Sequence, residues 1–70
     1  MTIVKSNQAK NLEIGTMINT SSGFIEIISE YDESHNGFMV AEIYIDDEGN
    51  GYRTGREYGM TLQDFVGCNY

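Results

Sequence analysis

Phe38-Met39-Val40-Ala41-Glu42-Ile43-Tyr44-Ile45, running into Asp46-Asp47-Glu48-Gly49-Asn50-Gly51, is the stretch on which the fold turns. A run of β-branched and aromatic residues closed by acids and glycines reads as a strand entering a tight turn. Alternation puts Met39, Ala41, Ile43 and Ile45 on one face, which is core-like. The other face carries Phe38, Val40, Glu42 and Tyr44 and is still half apolar, more than a solvated face needs. The stretch Phe24 to Tyr31 repeats the pattern, with Ile25, Ile27 and Tyr31 on one side and Phe24 and Ile28 on the other. Two explanations are open: the adjacent Ile27-Ile28 marks a bulge that flips the inward face, or a protein partner covers the second face.

Further out, Leu12 to Thr20 reads as a first strand region with a turn at Gly15, and Ser21-Ser22-Gly23 as the next turn. Residues 32–37 form a polar loop whose Asn36-Gly37 suits a turn that needs positive φ. Tyr52 to Tyr58 is a fourth strand interrupted at Gly55. Thr61 and Asp64 have the spacing of a capping box and Gly67 that of a stop, which predicts one helical turn over 61–66. Residues 1–11 are polar and read as a loose arm with a short strand at Ile3-Val4. The expectation is a single small domain over 1–70, mainly all-β, with four to five short strands and one short helical turn near the C-terminus.

The run from Gly15-Thr16-Met17-Ile18-Asn19-Thr20-Ser21-Ser22-Gly23 through Phe24-Ile25-Glu26-Ile27-Ile28, then Phe38-Met39-Val40, the acidic Gly turn, Gly51-Tyr52-Arg53-Thr54 and the late Gly67 resembles a small SH3-like barrel of the kind common in phage-encoded and other mobile-element proteins. The resemblance covers roughly residues 12–67 and concerns fold more than activity. It implies a non-enzymatic accessory protein that binds and inhibits a host enzyme, in the host cytoplasm.

Composition narrows the classes. The chain has 70 residues, with four Lys plus Arg against eleven Asp plus Glu, a net charge of −7, one Cys and one His. One Cys excludes an internal disulfide framework and a multi-thiolate zinc site within one chain, and one His excludes a multi-histidine centre. No apolar run approaches the roughly 18 residues that span a bilayer. The opening Met1 to Ser6 is not a signal peptide, and the unpaired Cys68 suits a reducing, cytoplasmic compartment. A core this small invites a partner, identical or different.

No Lys or Arg occurs between Lys10 and Arg53, so the acids there make part of the surface strongly negative and repel a phosphate backbone. The same surface complements a basic groove built for nucleic acid. The expected partner contacts are Glu26, Glu30, Asp32, Glu33, Asp46, Asp47 and Glu48, with Tyr44 and Tyr52 as aromatic anchors. Two other uses compete. One is a homo-oligomeric structural or virion component using the second apolar face. The other is a nucleic-acid reader using Arg53, Arg56 and Tyr52, against which stands local pairing of both arginines with Glu57 and the acids of 46–48.

Asp46, Glu48, Asn50, Tyr52 and Glu57 fall at ligand positions of a twelve-residue calcium loop, with Gly51 at its bend. The preceding strand and the cationic Arg53 and Arg56 favour an acidic hairpin turn instead, so no metal and no cofactor is expected. Gly49-Asn50-Gly51 lacks dinucleotide-loop spacing, His35 has no organised partner, and no nucleophile or carboxylate pair is specified; the expectation is no enzymatic activity.

Overall fold

A computed structural model describes residues 2–70. Four strands, β1 (Met17–Thr20), β2 (Gly23–Ile27), β3 (Gly37–Ile45) and β4 (Gly51–Thr61), form an open antiparallel sheet in chain order. A 3-10 turn spans Ala9–Asn11, and one short helix, α1, spans Leu62–Phe65. The mainly-β reading and the helical turn therefore stand. Asp64 accepts hydrogen bonds from the Thr61 N–H at 3.0 Å and the Thr61 hydroxyl at 3.1 Å, which starts α1. The helix ends one residue earlier than the expected stop at Gly67: Val66 is already extended (φ −61, ψ 128), and Gly67 follows it in the left-handed region at φ +89.

The core lies on one face of the sheet. Ile18, Ile25, Ile27, Phe38, Val40 and Met60 point into it, and Val4, Ala9 and Phe65 close it from the side. Phe38 meets Phe65 edge to face with centroids 5.6 Å apart, and Tyr31 meets Phe38 at 5.9 Å. The sheet register places Ile27, Val40 and Tyr58 in one row and Phe38 opposite Met60, so the layer under α1 is continuous.

Several local expectations are corrected. The core-like face of β3 is Phe38 and Val40, not the one with Met39, Ile43 and Ile45; of that expected set Ala41 is buried, while Met39 is 37% exposed and Ile43 and Ile45 are partly buried. Both faces are apolar, so alternation alone does not orient the strand. The segments that cover one face decide it. The irregularity in pairing lies between Ala41 and Ile43, not at Ile27-Ile28: two steps on β3 face four on β4, from Arg53 to Glu57. Gly55, at φ +96, supplies the left-handed residue that this bulge needs. β1 takes only Met17–Thr20 of the 12–20 region, which turns at Gly15 as expected, and β2 ends at Ile27 instead of running to Tyr31, with the Ile28 N–H still donating to the Met39 carbonyl at 3.0 Å. β4 runs further than 52–58 in both directions.

The arm is not loose. Val4 and Ala9 are buried, and the chain's end lies beside residues 2–4. The Val4 N–H donates to the Cys68 carbonyl at 2.9 Å, and the Tyr70 N–H donates to Thr2 at 2.8 Å. Asn69 also exchanges hydrogen bonds with Asn19 of β1 at 2.7 and 3.2 Å. Two apolar side chains, rather than the polar majority of residues 2–11, determine where this segment sits.

Candidate protein-docking surface

β2 pairs with β3 only from Ile27↔Val40 to Phe24↔Ile43. Beyond that point β3 and β4 continue alone through Tyr44↔Tyr52 and Ile45↔Gly51, so the hairpin tip stands clear of the sheet. Asp46 organises the tip. Its carboxylate accepts the N–H groups of Glu48 and Asn50, both at 2.9 Å, and its own N–H donates to Asn50 at 2.9 Å. The Asn50 N–H foremost, with that of Glu48, holds the Asp46 carboxyl below its ordinary pKa. Gly49 takes φ +86 to close the turn.

This leaves Asp47 and Glu48 free in solvent beside two directly opposed tyrosines, Tyr44 (59% exposed) and Tyr52 (54% exposed). On the tip's other side Ile43 and Ile45 fold over Gly51, where an added Cβ would lie 3.2 and 3.3 Å from their side chains. The tip thus gathers Tyr44, Tyr52, Asp46, Asp47 and Glu48 from the expected contact set.

The remaining expected contacts lie elsewhere. Glu30, Asp32 and Glu33 occupy the loop at the opposite end of β3. Eight strand steps from Gly37 to Ile45 put about 26 Å between the two acidic ends. Asp32 accepts the Ser34 hydroxyl at 2.7 Å and N–H at 2.8 Å, which lowers its pKa, and His35 lies 3.6 Å from it. Glu26 sits on the outer sheet face, 3.3 Å from Arg53.

Arg53 and Arg56 pair with Glu26 and Glu42, not with Glu57 and the acids of 46–48. The short Ala41 side chain leaves Arg53 a path across β3 to β2. Arg56 reaches back over the bulge to Glu42 at 3.3 Å, where Thr54 also donates at 3.0 Å, and its guanidinium lies 4.9 Å from the Tyr58 ring centroid. Such exposed pairs contribute little stability, but they occupy both arginines.

The calcium-loop residues do not converge. Glu57 stands opposite Ala41, four steps of β3 from Ile45 and so about 13 Å up the hairpin from the turn. Among the described residues, no group of three His, Cys, Asp or Glu side chains gathers as metal ligands would. Cys68 is partly buried, and that burial, with Asp64 nearby, raises its thiol pKa. No helix among the described residues is long and apolar enough to cross a membrane.

The outer face holds a feature that the sequence reading did not assemble. Met17, Phe24 and Tyr70, all exposed, border a cavity of about 430 Å³ with Asn19 and Asn69. Phe24, on the second side of the 24–31 stretch, was its one signal in the sequence; the second face of β3, with Phe38 and Val40, is the buried core instead of an exposed apolar face, and Tyr70 joins Phe24 only through the pairing of the chain's end. Comparison with known protein families, characterised proteins and solved structures returned no match.

Proposed function

We propose that this chain is a non-enzymatic protein-binding module that docks by its β3–β4 hairpin tip. The observation that carries the reading is the free-standing tip, in which Tyr44 and Tyr52 stand beside Asp46, Asp47 and Glu48. Tyrosines bury large area with little loss of rotamer freedom, and flanking carboxylates steer the encounter toward a basic surface. The partner is a protein whose basic groove ordinarily meets nucleic acid, and the mode is a phage-type inhibitor occupying that groove. The fold is an SH3-like barrel left open at one seam; the pairing of residue 69 with both Ile3 and Asn19, which adds a further strand-like layer beside β1, supports it.

The test is capture from host lysate by immobilised protein in three forms: wild type, the tip variant Asp47→Lys/Glu48→Lys/Tyr52→Ala, and a control, Glu30→Lys/Glu33→Lys, at the other end. A protein retained by wild type and control, lost by the tip variant and released by duplex DNA is the expected outcome. Equal retention by the tip variant would sink the proposal.

A second reading rests on the exposed outer face around Met17, Phe24 and Tyr70: self-association of a structural component. Sedimentation at high protein concentration separates the two, since this reading requires a concentration-dependent dimer that Phe24→Ser abolishes.

A further inference from the structure

The seam between β4 and the β1–β2 turn is a second site, separate from the hairpin tip. β4 has β3 on one side and no strand on the other. Its hydrogen-bonding pattern tells which groups face outward. The Leu62 N–H donates to the Asn36 carbonyl at 2.8 Å. In an antiparallel ladder alternate residues address the same neighbour, so Met60 and Tyr58 address β3, while Glu57 and Gly59 aim their N–H and C=O groups away from it. The Thr61 N–H, which also aims outward, is taken by Asp64. The bulge at 54–56 breaks the edge on its other side. What remains is a short, straight, unpaired edge from Glu57 to Thr61. Gly59 in its middle presents no side chain to an approaching strand, and the nearest neighbours to its missing Cβ are His35 and Met39 at 3.8 Å.

Beside this edge run two adjoining cavities. One, of about 270 Å³, is lined by Thr20, Ser22, Gly23, Glu42, Arg56 and Tyr58, among others. The next, of about 320 Å³, shares Thr20, Ser22 and Tyr58 and continues to Met60 and Asp64. The two make one trough, walled by the turn on one side and by β4 on the other. Its floor at Tyr58 is half-buried, and a carboxylate stands toward each end, Glu42 and Asp64. Glu57 adds a third on the outer side of the same edge.

We infer that the seam accepts an extended peptide segment carrying Lys or Arg at alternate positions, which adds a strand to β4 along Glu57–Thr61. The edge supplies main-chain hydrogen bonds and the trough receives every second side chain, as in other strand-addition complexes. Charge selects the occupant. The trough's one cation, Arg56, already faces Glu42 and stacks on Tyr58, so Asp64 is the carboxylate left to attract the positive side chains that enter the trough, while Glu57 lies on the opposite face of the edge. The inference goes beyond the docking role of the tip and does not depend on it.

The test uses the intact isotope-labelled protein and a capped synthetic peptide of alternating Thr and Lys, followed by amide NMR. Expected are half-saturation on the order of 1 mM, as four or five net hydrogen bonds allow, and shifts centred on the amides of Glu57, Gly59 and Ser22. Amide exchange at Glu57 and Gly59 should slow about tenfold at saturation. The same peptide N-methylated at alternate residues, on the edge that faces β4, should lose these effects, as should an alternating Thr and Glu peptide. The inference is overturned if shifts gather at Asp46, Asp47 and Glu48 alone, if the N-methylated peptide binds equally, or if the Glu peptide matches the Lys peptide. These outcomes leave the hairpin-tip reading untouched, because its variants alter residues remote from Glu57 and Gly59.

Discussion

Phe65→Ala probes the link between the helical turn and the sheet. Phe65 is fully buried, lies 5.6 Å from Phe38 at an interplanar angle of 84°, and is the only buried residue of α1. Removing such a ring from a core costs about 3–5 kcal/mol, the upper part of that range where the site cannot collapse. Collapse is restricted here, because Val4, Ala9 and the sheet hold the surrounding wall by main-chain hydrogen bonds. A domain of this length has about 4–10 kcal/mol in all, from about 0.05–0.15 kcal/mol per residue. One side chain therefore carries a third or more of the stability. At about 4–8 °C for each kcal/mol in a domain of this size, the melting temperature falls by at least about 12 °C. The assay is urea unfolding followed by far-ultraviolet circular dichroism, with the m-value checked for constancy. Val66→Ala, one residue on and 43% exposed, is the control and should stay within about 0.5 kcal/mol of wild type. A Phe65→Ala loss below about 1 kcal/mol at unchanged m, or a Val66→Ala loss as large, would refute the placement of α1 against the sheet.

Two further outcomes follow from the backbone and the turn. Gly37→Ala puts a Cβ 2.8 Å from both the Met60 carbonyl carbon and the Thr61 Cα, main-chain atoms that cannot rotate aside; a loss above about 2 kcal/mol is expected in the same assay, and a neutral result would mean that β3 and β4 are not this close. Asp46 has a folded-state pKa depressed by the N–H groups of Asn50 and Glu48, so its stabilising effect is present above the unfolded value of about 3.9 and is lost as pH falls through the folded value. Wild type and Asp46→Ala should therefore differ most in melting temperature near neutral pH and converge in acid; an equal gap at both ends would show that the carboxylate charge is not what holds the turn.

The strands were legible wherever composition and turn chemistry agreed. Phe38 to Ile45, the acidic turn after it and the Thr61–Asp64 cap all form as their residues dictate, and Asn36 takes the positive φ (55°) that its place before Gly37 invites. Two things were not legible, for one reason. The inward face of β3 and the position of the arm depend on contacts between residues distant in sequence: Val4 with Cys68, Phe65 with Phe38, Asn19 with Asn69. Local pattern carries no trace of such pairings. An apolar residue on either face of β3 satisfies the strand equally until something covers one of them.

The arginines show the same limit from the functional side. In sequence Arg53 and Arg56 sit next to Glu57 and a few residues from Asp46 to Glu48, so neighbourhood favours those partners. In the sheet, side chains meet across strands, and the partners become Glu26 and Glu42, which are 27 and 14 residues away. This changes the meaning of the net charge. The acidic run reads as one surface along the chain, but β3 holds its two clusters about 26 Å apart, and the arginine pairs neutralise the carboxylates between them. A partner that engages one end does not feel the other strongly, since that separation exceeds two screening lengths at physiological salt. On the proposed docking reading each acidic end is therefore a separate contact, and the hairpin tip, the end that also carries exposed tyrosines, is the one with apolar area to add to the electrostatic attraction.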